Sequence, residues 1–94
     1  MNKLEARYSE LLSARKHAGE IVAWSYEAIK FKLADNTFYT PDFMVTFDDH
    51  IEIHETKGFR REDAMIKIKV CAAQFWQFRF VLVEFNKGWK FTEY

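Results

Sequence analysis

The sequence predicts one α+β domain in which helices flank a mixed β-sheet. Its 94 residues leave room for a single small hydrophobic core. Hydrophobic residues make up 49% of the chain and aromatic residues 18%, a composition that excludes intrinsic disorder. Two segments have helical periodicity and five have the pattern of strands, in the order α-β-β-β-α-β-β.

The first helix is predicted over residues 2–17. No glycine or proline interrupts this segment before Gly19, and glycine is common just after the end of a helix. The apolar side chains of the segment recur at helical spacing, at Leu4, Tyr8, Leu11 and Leu12. One face of this helix is therefore expected to pack on the sheet.

A hairpin is predicted after this helix. Residues 24–33 are rich in aromatic and branched side chains, which favour a strand. Residues 34–37 have the composition of a turn, and residues 38–47 resume the strand pattern. We expect the two strands to pair with each other.

The third predicted strand covers residues 51–57. A turn at residues 48–50 precedes it and Gly58 ends it. Its side chains alternate strictly between the two faces of the sheet. One face carries Ile51, Ile53, Glu55 and Lys57, and the other carries His50, Glu52 and His54.

The second helix is predicted over residues 61–76. Lys67 and Gln74, seven positions apart, lie together on its outer face. Cys71 lies on the apolar face and is expected in the core, and a single cysteine excludes an internal disulfide and a multi-cysteine metal site. The apolar face comprises Ala64, Met65, Ile68, Cys71, Ala72 and Phe75.

Two strands complete the chain. Residues 78–85 are predicted to form a buried strand, and a turn at residues 86–88 leads into a last strand over residues 89–94. The connection from the third strand through the second helix is expected to be a βαβ-like crossover between parallel strands.

Charge is balanced overall but unevenly distributed. The chain has 14 Lys plus Arg and 14 Asp plus Glu. Six acids and no lysine or arginine lie between residues 35 and 55, whereas five bases lie between residues 57 and 69. No apolar run is long enough to span a membrane, and the charged amino end is unlike a signal peptide. We therefore expect a cytoplasmic protein without membrane contact.

Three polar residues of neighbouring strands are the strongest candidates for chemistry. Glu55 and Lys57 project from one face of the third strand, with about 6.7 Å between their Cα atoms. Asp42, in the preceding strand, is expected roughly opposite Lys57 or Glu55. Two carboxylates beside one ammonium suit phosphodiester hydrolysis, because carboxylate oxygens hold Mg²⁺ while a lysine orients water or stabilises the transition state.

The spacing of these residues resembles a known nuclease motif. Pro41-Asp42 followed by Glu55-Thr56-Lys57 is similar to the motif of the PD-(D/E)XK nuclease superfamily. The restriction-endonuclease-like core of that superfamily is α-β-β-β-α-β, which matches the predicted order with one extra C-terminal strand. The segments KLEARY, GEIVAWSYE, YTPDF, ETKGF and KIKV together resemble a small phage and prophage family within it, and more distantly Holliday-junction resolvases.

The resemblance assigns roles to individual residues. It implies that Asp42 and Glu55 bind Mg²⁺ or Mn²⁺ and that Lys57 is the catalytic lysine. Resolvase-type members add an acid from the first helix, for which Glu5 is the candidate, as a third metal ligand. Glu5 lies beside the apolar face on a helical wheel, whereas Glu10 points away.

The sequence-based hypothesis is a metal-dependent DNA endonuclease. We expect it to select branched or junction DNA, to need no organic cofactor and to act in the bacterial host cytoplasm if phage or prophage encoded. Two cuts need two sites, so a homodimer is expected, with residues 89–94 as one possible contact. DNA contacts are expected from Arg60, Arg61, Lys67 and Gln74.

Other interpretations of the same residues stay open. Pro41-Asp42 is also typical of a strand edge, and Glu5 of a solvated acid in a first helical turn. His50, Glu52 and His54 suggest a zinc site or an exposed strand surface. The aromatic strands are compatible with an RNA-binding sheet. The competing function is a non-catalytic nucleic-acid-binding module on a nuclease fold.

Overall fold

The chain forms two helices and two β-sheets in its computed structural model, which describes residues 1–58 and 61–94, apart from the side chain of Arg61. The elements are α1 (Lys3–His17), β1 (Ala23–Tyr26), β2 (Phe31–Ala34), β3 (Thr37–Tyr39), β4 (Phe43–Thr46), β5 (Ile51–Thr56), α2 (Arg61–Gln74), β6 (Arg79–Phe85) and β7 (Trp89–Glu93). The large sheet has the order β1-β4-β5-β6-β7, and β2 pairs with β3 in a small second sheet. The predicted α+β class with a mixed sheet is confirmed.

Helix α1 has both of its predicted ends. The Asn2 side chain accepts a hydrogen bond from the Glu5 amide, and the Glu5 side chain accepts one from the Asn2 amide, which is a capping box. At the other end Gly19 has a φ of 80° and its amide donates to the Lys16 carbonyl. The capping box fixes the position of the Glu5 side chain in the first turn of α1.

The predicted hairpin forms, but each of its strands is interrupted. Strand β1 pairs antiparallel with β4, and β2 pairs antiparallel with β3 at the hairpin tip. Pro41 has no amide hydrogen, so the ladder cannot continue through it. Opposite this break, Glu27 has a φ of 49°, which is incompatible with extended structure. The two continuous strands predicted over residues 24–33 and 38–47 are therefore wrong.

The predicted crossover is confirmed. Strand β5 pairs antiparallel with β4 and, after the chain passes through α2, parallel with β6. Strand β7 pairs antiparallel with β6 and lies at the edge of the sheet. Helix α2 ends at Gln74, two residues earlier than predicted, and Trp76 beyond it is 84% exposed. Neither helix in the described ranges is long and apolar enough to cross a membrane.

The two helices cover opposite faces of the large sheet. Helix α1 packs Tyr8 and Leu12 on Phe43, Val45 and Val83. Helix α2 packs on the alternate residues, in a cluster that includes Ile53, Ala64, Ile68, Cys71 and Leu82. The core position predicted for Cys71 is confirmed, and burial raises the pKa of its thiol to about 11. Both faces of β5 are thus buried.

Candidate active site

The four predicted catalytic residues line a single cavity. It has a volume of about 200 Å³ and lies where the end of β5 meets the first turn of α1. Glu5 comes from the helix, whereas Glu55 and Lys57 come from the end of the strand and the residue that follows it. The full lining is Asn2, Leu4, Glu5, Asp42, Glu55, Thr56, Lys57 and Gly58.

The strand register explains why Asp42 and Glu55 meet. Phe43 pairs with His54, and one further step along the same register brings Asp42 opposite Glu55. The Asp42 amide donates to Glu55 Oε1 over 3.1 Å. The sequence predicted that Asp42 lies opposite either Lys57 or Glu55. The structure shows that its cross-strand neighbour is Glu55, and Lys57 also lines the cavity.

Thr56 holds the carboxyl group of Asp42. The Thr56 amide donates to Asp42 Oδ2 over 2.9 Å, and the Thr56 hydroxyl donates to the same oxygen over 2.8 Å. Both side chains are buried, since Asp42 is 9% exposed and Thr56 is 5% exposed. A strand-edge residue without a further role would leave its carboxyl group in solvent, whereas this group is enclosed and bonded.

Glu5 is fixed from two directions. Its Oε1 atom accepts hydrogen bonds from the Asn2 amide over 2.8 Å and from the Tyr26 hydroxyl over 3.0 Å. Its carboxyl group also meets that of Asp42. Glu10, by contrast, is exposed on the outer side of α1. The predicted choice of Glu5 over Glu10 agrees with these positions.

The crowding of carboxyl groups raises two of their pKa values. Burial raises the pKa of Asp42 to about 6, and the neighbouring Glu5 carboxylate adds to the increase although hydrogen bonds from Thr56 oppose it. Burial also raises the pKa of Glu55 to about 7, with a further contribution from the charge of Asp42. For Glu5, hydrogen bonds from Asn2 and Tyr26 outweigh burial and lower the pKa. Positive charge in this cavity would relieve the repulsion.

The donor set fits a hard divalent cation. Glu5 Oε1, Asp42 Oδ2 and Glu55 Oε1 each accept hydrogen bonds from the protein, and the three carboxyl groups line one cavity. A cation between them would bind the remaining oxygens in place of the Glu5–Asp42 and Glu55–Tyr39 contacts. No group of three or more His, Cys, Asp or Glu side chains in the described ranges already has the arrangement of a metal centre. Mg²⁺ does not require one, because it keeps several waters and uses one or two carboxylates plus substrate phosphate.

Tyr39 is a neighbour of the site that the sequence did not indicate. Its hydroxyl is buried beside the Glu55 carboxyl group, and this polar contact lowers the pKa of Glu55 against the effect of burial. Burial raises the pKa of this phenol strongly. Tyr39 is therefore a buried polar neighbour of a candidate metal ligand.

The structure describes the side chains of two of the four residues that are predicted to contact DNA. Lys67 Nζ lies 5.7 Å from the centre of the Tyr39 ring, on the α2 side of Glu55. Gln74 is exposed, and its side-chain nitrogen donates to the Leu33 carbonyl over 3.3 Å. Arg60 and the side chain of Arg61 lie outside the described residues. Of Lys67 and Gln74, Lys67 is thus the one that lies near Tyr39, the neighbour of Glu55.

The histidine face of β5 is not an exposed surface. His54 is 1% exposed beneath α1, with Nδ1 hydrogen-bonded to the Tyr8 hydroxyl and Nε2 to Glu52. The other Glu52 oxygen bonds to His50. These hydrogen bonds outweigh burial and lower the pKa of Glu52 to about 2. Because both ring nitrogens of His54 are already used, this set favours a buried polar network over a zinc site.

The raised pKa of Glu55 predicts a pH-dependent stability difference. A carboxyl group whose pKa is higher in the folded chain loses its stabilising contribution as the pH rises through that value. In EDTA, we expect Glu55→Gln to gain about 2 kcal/mol in unfolding free energy relative to wild type between pH 5 and pH 8. Urea titrations at the two pH values check this, with the exposed Glu10→Gln as the control. A difference that is independent of pH would contradict the assignment.

Comparisons of the chain with protein-family models, with curated proteins and with solved structures gave no match. Any function proposed for the cavity therefore depends on its own residues. These residues are Glu5 on α1, Asp42 before β4, Glu55 on β5 and Lys57 directly after β5.

Proposed function

We propose that this chain is a metal-dependent DNA endonuclease that hydrolyses phosphodiester bonds with Mg²⁺ or Mn²⁺. The observation that carries the proposal is the cavity at the end of β5, where Glu5, Asp42, Glu55 and Lys57 converge. Acidic residues without a functional role are usually solvated, whereas Asp42 and Glu55 are each only 9% exposed and lie against each other.

The residues of the cavity have separate tasks in this proposal. Asp42 and Glu55 hold the cation, and Glu5 completes or positions its site. The cation, when bound, lowers the pKa of a water ligand and neutralises charge that develops on the phosphoryl oxygens. Lys57 orients the attacking water or stabilises the transition state through its ammonium group. Attack in line with the scissile bond would leave a 5′-phosphate and a 3′-hydroxyl.

A nucleic-acid substrate is compatible with an acidic cavity because a cation inverts the local charge. Arg60, Arg61, Lys67 and Gln74 would then bind the phosphate backbone. The sequence has no recognisable element that reads bases, so we propose selection of DNA structure, such as a branch or junction, within the bacterial cytoplasm. The tight packing of α1 and α2 on opposite sheet faces disfavours the RNA-binding alternative, which needs an open face.

A homodimer would supply the two sites that cutting both strands requires. The exposed edge strand β7 is one candidate contact, because Phe91 on it is 48% exposed. Gel filtration with light scattering should give twice the chain mass at micromolar concentration. A monomer at that concentration would contradict the dimer while leaving the proposed chemistry of the cavity in place.

The proposal is tested by incubating the purified protein with supercoiled, linear, single-stranded and four-way-junction DNA in Mg²⁺, Mn²⁺ or EDTA. We expect cleavage with either metal, most rapidly on the junction, and none in EDTA. DNA binding without cleavage of any of these substrates would instead support the non-catalytic nucleic-acid-binding module. Tight binding to single-stranded RNA alone would contradict both.

A further inference from the structure

Thr56, the middle residue of the Glu55-Thr56-Lys57 segment, contacts the candidate site from the sheet face opposite to Glu55. Alternation along β5 turns the Thr56 side chain away from the face that carries Ile53 and Glu55 and towards the face that carries His54. Its hydroxyl nevertheless reaches the cavity, because it donates to Asp42 Oδ2 over 2.8 Å. Thr56 therefore contacts one carboxyl group while its sequence neighbour supplies another.

Asp42 depends on this contact more than a residue inside a strand would. It follows Pro41 and precedes β4, so the regular pairing of the ladder does not include it. Its amide is used by Glu55 Oε1, and its carbonyl accepts from the Glu27 amide over 2.8 Å. These bonds fix the backbone of Asp42, whereas the two donors of Thr56 fix the rotation of its carboxyl group.

The two Thr56 bonds determine which carboxyl oxygen remains for a cation. Both converge on Oδ2, so Oδ1 is the oxygen that stays available to the cavity and to Glu5. The backbone donor is present whatever residue occupies position 56. The side-chain donor requires a hydroxyl group on Cβ, which serine also has and valine lacks, although valine has nearly the shape of threonine.

We propose that Thr56 is a positioning residue for Asp42 and thereby sets the affinity of the cavity for its divalent cation. The inference rests on the proposed function, since it takes Asp42 as a cation ligand. Groups that hydrogen-bond to a metal-binding carboxylate orient it and commonly change metal affinity by 10- to 100-fold. The middle position of the segment would then be chosen for its hydroxyl group and not merely serve as a spacer.

The test compares four variants of the chain, which are Thr56→Val, Thr56→Ser, Thr46→Val and Asp42→Asn. Mn²⁺ binding is measured by electron paramagnetic resonance, and the same samples are unfolded thermally in EDTA. We expect Thr56→Val to weaken Mn²⁺ binding by about 10-fold and Thr56→Ser to stay within about 2-fold of wild type. Thr46→Val, at a half-buried threonine of β4 outside the cavity, is the matched control and should bind as wild type does.

Different outcomes would overturn the positioning role of Thr56 and the cation site at Asp42 on which that role depends. If Asp42→Asn weakens Mn²⁺ binding but Thr56→Val does not, the positioning role is wrong while the cation site stands. If Asp42→Asn binds Mn²⁺ as tightly as wild type, Asp42 is not a ligand and both proposals fail. Equal weakening by Thr56→Val and Thr56→Ser would show that shape and not the hydroxyl group matters, which also overturns the positioning role.

Discussion

Replacing Glu55 or Asp42 with its amide should lower the rate of DNA cleavage by about 1000-fold at saturating Mg²⁺. The reason is that each amide keeps the size of the side chain but removes the negative charge that is proposed to hold the cation. Several kcal/mol of transition-state stabilisation depend on that cation, and about 4 kcal/mol corresponds to this loss of rate. Initial rates on a four-way junction, measured over a range of Mg²⁺ concentrations, check the prediction.

The amide variants carry their own control for folding. Because burial raises the pKa values of Asp42 and Glu55, neutral side chains remove repulsion, and both variants should be at least as stable as wild type at pH 8. Loss of activity could then not be attributed to unfolding. Glu10→Gln, on the exposed side of α1, should retain full activity. Cleavage by Glu55→Gln at the wild-type rate would contradict the proposed role of this carboxylate.

Replacing Lys57 with methionine should lower the cleavage rate by about 100-fold and leave Mn²⁺ binding nearly unchanged. Lys57 lines the cavity beside the carboxyl groups but carries a positive charge, so it cannot hold a cation. Its contribution is electrostatic, and removal of one such group from a preorganised site commonly costs two to three powers of ten in rate. Single-turnover kinetics at saturating metal separate this effect from weaker binding of DNA.

Lys16→Met is the matched control for Lys57→Met. Lys16 is exposed in the last turn of α1, at the opposite end of the helix from the cavity, and lies outside the lining of the cavity. This variant should cleave at the wild-type rate. An equal loss of rate in the two variants would indicate a general dependence on positive charge. In that case Lys57 would be a backbone contact and not a catalytic residue.

The elements of the fold were predictable where the local pattern agrees with the tertiary environment. The apolar spacing of α1 and Gly19 after its end give the correct helix, and the strict alternation of β5 gives the correct faces. The breaks in the first hairpin were not predicted. Pro41 was visible in the sequence, but the positive φ of Glu27 opposite it depends on the pairing of two strands that are distant along the chain.

The candidate site was predictable to the extent that it follows from strand periodicity. A period of two puts Glu55 and Lys57 together, and a short antiparallel connection brings Asp42 to them. The resemblance to resolvases implied an acid on the first helix, and a helical wheel then favoured Glu5 over Glu10 because it places Glu5 at the edge of the apolar face. For Asp42, Glu55 and Lys57, one local rule and one neighbouring element were enough to bring the residues together.

The supporting contacts required the assembled structure. Thr56 reaches Asp42 from the face opposite to Glu55, and Tyr26 reaches Glu5 across 21 residues of sequence. Tyr39 adjoins Glu55 because the hairpin tip separates from the large sheet and packs near α2. The burial of His54 likewise depends on where α1 crosses β5. No spacing rule within a single element predicts such contacts.

The central claim is that a divalent cation binds between carboxyl groups of α1, the start of β4 and the end of β5. Anomalous diffraction from a crystal soaked in Mn²⁺ tests it most directly. We expect a peak in the cavity within about 2.5 Å of carboxylate oxygens of Asp42 and Glu55, and no such peak in a crystal of Asp42→Asn. A fully soaked wild-type crystal without density there, or with Mn²⁺ bound only elsewhere, would contradict the account.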